Sequence, residues 1–274
     1  MKTTKDLGGI FRESLGFFFR NILRLTGVAA WISVPASMIF VLFFFWGLEE
    51  QSIYLLMRVA SFVAVFLLVL LLIVAIKTIQ ILDQRRKAKI LSVYAESFEV
   101  FFHFLTVLAR LIGAVFLRAL WVFLPGLFFI WGLKTFNKKW MAGISPDFIT
   151  TPVVILGLGI GAMFSFCYFL APFALLIDGK AGREALVYSK TLIKPRSAQF
   201  VLGNFLMLTL LAPVYFLIQL WAGKVYDIPI FPENLFPILF HVPLVNLFAV
   251  VMNIFPLVFL YFFYKEAQGQ AELH

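Results

Sequence analysis

The sequence carries little charge: Asp, Glu, Lys and Arg make up 14% of its 274 residues, against about a quarter in soluble domains. It has one cysteine, Cys167, so it can form neither a disulfide framework nor a cysteine metal site. Its three histidines, His103, His241 and His274, lie outside any H-E-x-x-H motif, and no G-x-S-x-G elbow occurs. Zinc proteolysis and serine hydrolysis therefore lack their usual signals. No hydrophilic stretch is long enough to bury a core of its own, which argues against a soluble catalytic domain. No Asp or Glu falls inside an apolar run, which counts against a proton carrier with an acidic relay. No metal or other cofactor is expected, and nothing points to nucleic acid as a partner.

What the chain has in abundance is apolar surface. Hydrophobic residues make up 62% of it, aromatics 18%, and its mean hydropathy is +0.98. Uncharged runs occupy residues 25–47, 59–76, 148–177, 197–223 and 234–264, and a sixth, 111–133, is broken only by Arg118. A helix crosses a bilayer with about 20 apolar residues. A membrane β-barrel would instead show short alternating segments. The expectation is an all-α, polytopic membrane protein with six transmembrane helices in a single integral membrane domain over residues 1–274. The first run is too long for a signal-peptide core and is expected to be the first span.

Lys and Arg set the orientation. With the N-terminus inside, the inner segments hold 15 basic residues and the outer ones five, while Lys77, Arg110 and Arg118 lie in or near the membrane. Nine acids fall inside and five outside. Trp46, Trp131, Trp140 and Trp221 then cluster near the outer boundary, as an aromatic belt does. Both signals imply that N- and C-termini are inside, and the expected location is the cytoplasmic (inner) membrane of a prokaryote.

A unit recurs three times. Arg12-Glu13-Ser14-Leu15, Ala95-Glu96-Ser97-Phe98 and Arg183-Glu184-Ala185-Leu186 each open an amphipathic stretch leading to a span that contains a proline. From the glutamate to Pro35, Pro125 and Pro213 the offsets are 22, 29 and 29. The expected plan is three repeats of an interfacial amphipathic helix plus a helical hairpin, near 5–82, 88–178 and 180–266. In the third copy Ala185, Leu186, Ser189, Leu192 and Ile193 share one face, and Arg183, Glu184, Lys190, Thr191 and Lys194 the other. In the second, Ser92, Glu96, Glu99, His103, Thr106 and Arg110 form a polar stripe. In the first, Phe11, Leu15, Phe18 and Ile22 face one way. Helices of this kind lie in the interface plane, where each Lys or Arg gains roughly 1 kcal/mol from anionic lipid. Arg183, Glu184, Lys190 and Lys194 are thus candidate interfacial residues, and membrane lipids, above all anionic ones, are the expected partners. A membrane-protein partner or a homo-oligomer is the other expected association.

One charge lies within a span. Arg118 is seven positions into its apolar run, and a charge near the bilayer centre costs about 2.5–3.5 kcal/mol. Asn204 and Asn253 fall at similar depth, with Asn246 one level deeper on the same face as Asn253. These four are the candidate pocket for an anion or lipid head group. The competing interpretation has Arg118 snorkelling to the surface and the asparagines joining helices. Gly157, Gly161 and Ser165, spaced four apart, suggest a small-residue packing face rather than a phosphate loop.

Two motifs carry family resemblances. DGKAGR, from Asp178, is similar to the start of the membrane CDP-alcohol phosphotransferase signature. That signature needs an acid where Leu175 stands, and further aspartates where none occurs before Asp227. Metal chemistry of that type therefore lacks its ligands. The longer stretch FLAPFALLIDGKAGREALVYSKTLIK supplies Pro172, Asp178, Gly179, Glu184, Ala185, Leu186, Ser189, Leu192, Ile193 and Lys194. With FLPGLFFI at Pro125-Gly126, it resembles the membrane domain related to glycerophosphoryl diester phosphodiesterases, including YciC-like proteins. The likeness covers residues 90–220, with the rest agreeing in layout. It departs at Pro195, where glycine is usual, and in a further loop and span between the two motifs. It implies a six-helix membrane bundle, here the membrane module without the phosphodiesterase barrel.

The functional expectation is a non-catalytic inner-membrane protein, an accessory or scaffold module engaging lipids or membrane partners. The alternatives are a transporter or channel for an anionic solute or lipid built on Arg118, and, third, an intramembrane enzyme. A conduction path along a threefold repeat would place a charge in each proline-bearing span. Only Arg118 is present, which favours the scaffold.

Overall fold

The computed structural model describes residues 5–45, 50–86, 89–136, 156–157, 159–161, 165–226 and 235–271, and its architecture is all-helical there. The long elements are α1 (Leu7–Phe45), α2 (Glu50–Asp83), α3 (Ile90–Phe136), α4 (Ala171–Asp178), α5 (Gly182–Ile193), α6 (Ser197–Tyr226) and α7 (Leu235–Ala271). Among the described residues five stretches are long and apolar enough to cross a membrane: Leu7–Ile39, Val65–Asp83, Ile90–Gly126, Gly182–Lys224 and Phe236–Ala271. Of the expected fourth span, 148–177, residues 148–155, 158 and 162–164 lie outside the described residues, as do Trp46 and Trp140.

Local chemistry sets several boundaries. Asp6 caps α1, its carboxylate accepting from the Gly9 N–H at 2.8 Å. Gly179, at φ 69°, closes α4, its N–H bonding Leu175 O while Lys180 N–H reaches back to Ala174 O. Pro35, Pro125 and Pro213 lie inside α1, α3 and α6. Proline lacks a donor, yet helices in lipid tolerate it where neighbours meet the freed carbonyl.

The amphipathic stretches differ from expectation in one respect. In the first two copies the strut and the span are a single helix, α1 or α3, with no break at the change in hydropathy. At 1.5 Å per residue the 47 residues of α3 extend about 70 Å, over twice the ~30 Å hydrocarbon layer. Only in the third copy does the helix type change between strut and span, where Pro195 falls in a 3-10 turn, Lys194–Arg196, between the abutting α5 and α6.

The chain groups into two compact units, Met1–Phe102 with Arg196–His274, and His103–Pro195. In the first, α1 packs along α7. Ile10, Phe18 and Leu25 are buried on the α1 side and Phe255, Val258, Phe259 and Phe263 on the α7 side. Phe18 meets Phe255 at 5.1 Å between ring centroids, and Phe17 meets Phe262 at 5.3 Å. Gly203 of α6 lets α7 approach closely, since a Cβ there would stand 2.4 Å from the Phe259 ring. A polar group joins the ends of α2 and α7: Asp83 accepts from Lys265 at 2.6 Å and from the Tyr261 hydroxyl at 2.9 Å.

In the second unit the apolar side of α5 is buried with α4. Ala171, Phe173, Ala174, Ala185, Leu192 and Ile193 are among its most enclosed residues. The spacing of Gly157, Gly161 and Ser165 matches a packing face on α3. A Cβ on Gly161 would stand 2.5 Å from Val115 O, and one on Gly157 2.5 Å from the Phe123 ring.

Candidate functional site

Arg118 emerges from α3 within the second unit and is half-buried. Its Nη1 donates to Ser165 Oγ at 2.7 Å, and its Nη2 to Tyr168 Oη at 3.3 Å. Its Cζ also stands 5.0 Å from the centroid of the Tyr168 ring, within cation–π range. Among the described residues no carboxylate pairs with it. Ser165 is fully buried. It precedes the 3-10 turn Phe166–Tyr168, which sets the tyrosine one turn further on.

Ser189 fixes that turn. Its hydroxyl donates to Cys167 O at 2.8 Å and accepts from Leu170 N–H at 3.1 Å. The serine of the E-A-L-x-x-S segment on α5 thus ties the helix to the backbone on either side of Tyr168. Ser165, Tyr168 and the bridging role of Ser189 were not foreseen from sequence. The first two lie 47 and 50 residues from Arg118, and no local pattern marks such partners.

The asparagines belong to the first unit, and each has its own partner. Asn204 Nδ2 donates to Phe200 O at 2.8 Å within α6. Asn246 Nδ2 donates to Ser37 Oγ at 2.9 Å, and Ser37 in turn donates to Ser33 O at 2.7 Å. Asn253 accepts from the Tyr215 hydroxyl at 2.7 Å, joining α7 to α6. Asn246 and Asn253 therefore link helices. His241 rests 6.4 Å from Trp221 between ring centroids, and its Nδ1 is buried without a hydrogen-bond partner among the described residues.

α5 has the two faces its spacing implied. Ala185, Ser189, Leu192 and Ile193 are buried, Leu186 is half-buried, and Arg183, Glu184, Lys190, Thr191 and Lys194 are exposed. The buried side packs on protein, so this strut does not offer its apolar face to lipid as an interfacial helix does. Its outward side is the charged one. Glu184 pairs with Lys180 at 2.9 Å, and this hydrogen bond holds the Lys180 ammonium above its ordinary range. Lys180 Nζ also stands 4.6 Å from the Tyr188 ring centroid. Arg183, Lys190 and Lys194 make no ion pair among the described residues.

The loop before α5 is a tight turn. Gly179 and Gly182 both have positive φ, 69° and 57°. A Cβ on Gly182 would also meet the Arg110 guanidinium at 3.0 Å. The glycines of DGKAGR thus serve turn geometry and the close approach of Arg110. Among the described residues no three His, Cys, Asp or Glu side chains gather in a metal-binding group. The polar stripe of the second copy, Ser92 to Arg110, is exposed at every position. Comparison of the chain with protein-family models, with curated proteins and with solved structures found no match in any of the three.

Proposed function

We propose that this is a non-catalytic integral membrane protein of a prokaryotic inner membrane, an accessory or scaffold module that engages anionic lipid through α5. The observation that carries this reading is the placement of Arg183, Lys190 and Lys194. They are exposed together on a helix whose apolar side is already buried in protein. A cationic face held rigidly in this way attracts lipid phosphates without inserting, at roughly 1 kcal/mol per charge near an anionic surface. Six spans in three copies, with both termini inside, are part of the proposal. The three proline-bearing helices and the excess of inner Lys and Arg support it. A carrier for an anionic solute is the second reading, and Arg118, a cation held by neutral groups, is its support.

The test is lipid enrichment. Protein in nanodiscs with equal phosphatidylglycerol and phosphatidylcholine is extracted in mild detergent and its retained lipid identified. Wild type should retain the anionic lipid in excess. Arg183→Gln/Lys190→Gln/Lys194→Gln should lose most of that excess while remaining folded. Equal enrichment in the two proteins would rule out α5 as the lipid-engaging surface.

A further inference from the structure

We infer that Arg118 and Tyr168, with Ser165 positioning the guanidinium, form a binding site for a phosphate-class oxyanion. The case rests on hydrogen-bond bookkeeping at the three side chains. A guanidinium has five N–H donors and no acceptor. Arg118 places two of them on Ser165 Oγ and Tyr168 Oη. Both hydroxyls are therefore acceptors towards Arg118, and each must direct its own hydrogen elsewhere. Among the described residues neither hydroxyl hydrogen has an acceptor, and the remaining guanidinium N–H groups have none either. Ser165 is fully buried, so it holds the guanidinium in place from the protein side and is not itself open to a ligand.

The result is a cluster of donors that carries a full positive charge and, among the described residues, no carboxylate. Its complement is a group with several acceptor oxygens and negative charge. Carboxylate can meet a guanidinium in two bonds. A phosphate offers a further oxygen to the half-buried Tyr168 hydroxyl as well, and arginine suits it for the same planar geometry. Such a ligand would offset the cost of a cation in an apolar helix. Through Ser189, the turn that holds Tyr168 is fixed to α5, so the site is preorganised. The phosphate could be that of a lipid head group or of a soluble anion. The inference rests on the membrane-embedded reading above, and not on the accessory role or on the lysines of α5.

The test uses the full chain, stripped of lipid in maltoside detergent, with two probes, dioleoyl phosphatidylglycerol and inorganic phosphate. Binding is read by native mass spectrometry for the lipid and by thermal shift for both. Four variants are compared with wild type: Arg118→Leu, Ser165→Ala, Tyr168→Phe and Arg183→Gln/Lys190→Gln/Lys194→Gln. At least one probe should bind wild type and the triple variant alike. Its affinity should fall about tenfold or more in Arg118→Leu, and measurably in Ser165→Ala and Tyr168→Phe. Binding of the lipid alone assigns a head group, and binding of inorganic phosphate alone assigns a solute. No binding of either probe overturns the inference, as does equal binding by wild type and Arg118→Leu. Loss in the triple variant with Arg118→Leu unaffected also overturns it, and leaves the α5 surface reading standing. Should Arg118→Leu fail to fold, unchanged binding in both hydroxyl variants overturns the inference, and weakened binding in them supports it.

Discussion

The hydroxyl of Ser189 serves two backbone groups at once, accepting from Leu170 N–H and donating to Cys167 O. Replacing it by alanine leaves the buried Leu170 N–H unmet, at a cost of about 1–3 kcal/mol, and removes the bond to the half-buried Cys167 O. Ser189→Ala should therefore lower the thermal midpoint in detergent, with a loss of about 1–3 kcal/mol; an unchanged midpoint would mean that the bridge does not form. The helical spacing of α5 placed Ser189 on the enclosed face, and it is there. Its partners, 22 and 19 residues upstream, were beyond any periodic signal. Charge was similarly half-legible. Arg118 stood out because it is alone in an apolar run, but nothing local distinguished a snorkelling side chain from one held by Ser165 and Tyr168. Lys180 contributes in the opposite sense to a carboxylate. Its folded pKa is raised by Glu184, so the stabilisation is complete below the ordinary lysine range and is lost as pH rises through the folded value. The pair is a surface one, and its effect is correspondingly small.

Helix faces were readable in the sequence and helix ends were not. The residues assigned to the polar sides of α5 and of the first part of α3 are all exposed, since 3.6-residue periodicity reports directly on which side is packed. The break expected between strut and span in the first two copies was inferred from a change in hydropathy, and hydropathy does not end a helix. Backbone hydrogen bonding continues through such a change unless proline, or a residue at positive φ, interrupts it. Only the third copy has that interruption, at Pro195. Continuity has a measurable consequence in α1. Leu23 is exposed, at 85%, so Leu23→Pro removes little packing, but it deletes an internal helix bond and strains the turn before it. The variant should lose about 3 kcal/mol or more of stability, detectable as reduced resistance to thermal or denaturant unfolding. If α1 were two helices hinged near residue 23, the substitution would be nearly neutral.

For the whole molecule, composition made the helical, membrane-type character plain, and the described residues contain five stretches suited to crossing a bilayer. The number of crossings depends on a stretch in which residues 137–155, 158 and 162–164 lie outside the described part. Sidedness can count them. Gln84 follows α2 and Lys180 precedes α5, so α3 and the expected fourth span are all that can separate the two positions. In a Cys167→Ser background, single cysteines at Gln84, Lys180 and Lys224 can be probed with a membrane-impermeant maleimide in intact cells and in disrupted membranes. Six spans with both termini inside would protect the first two sites until disruption and leave Lys224→Cys labelled in intact cells. Opposite behaviour at Gln84 and Lys180 would mean that the chain crosses only once between them, which removes the fourth span and the threefold hairpin plan together. Labelling of both in intact cells, with Lys224→Cys protected, would keep the six spans but invert them. The basic face of α5 would then stand on the outer side, away from the inner leaflet whose anionic surface most strongly favours Lys and Arg.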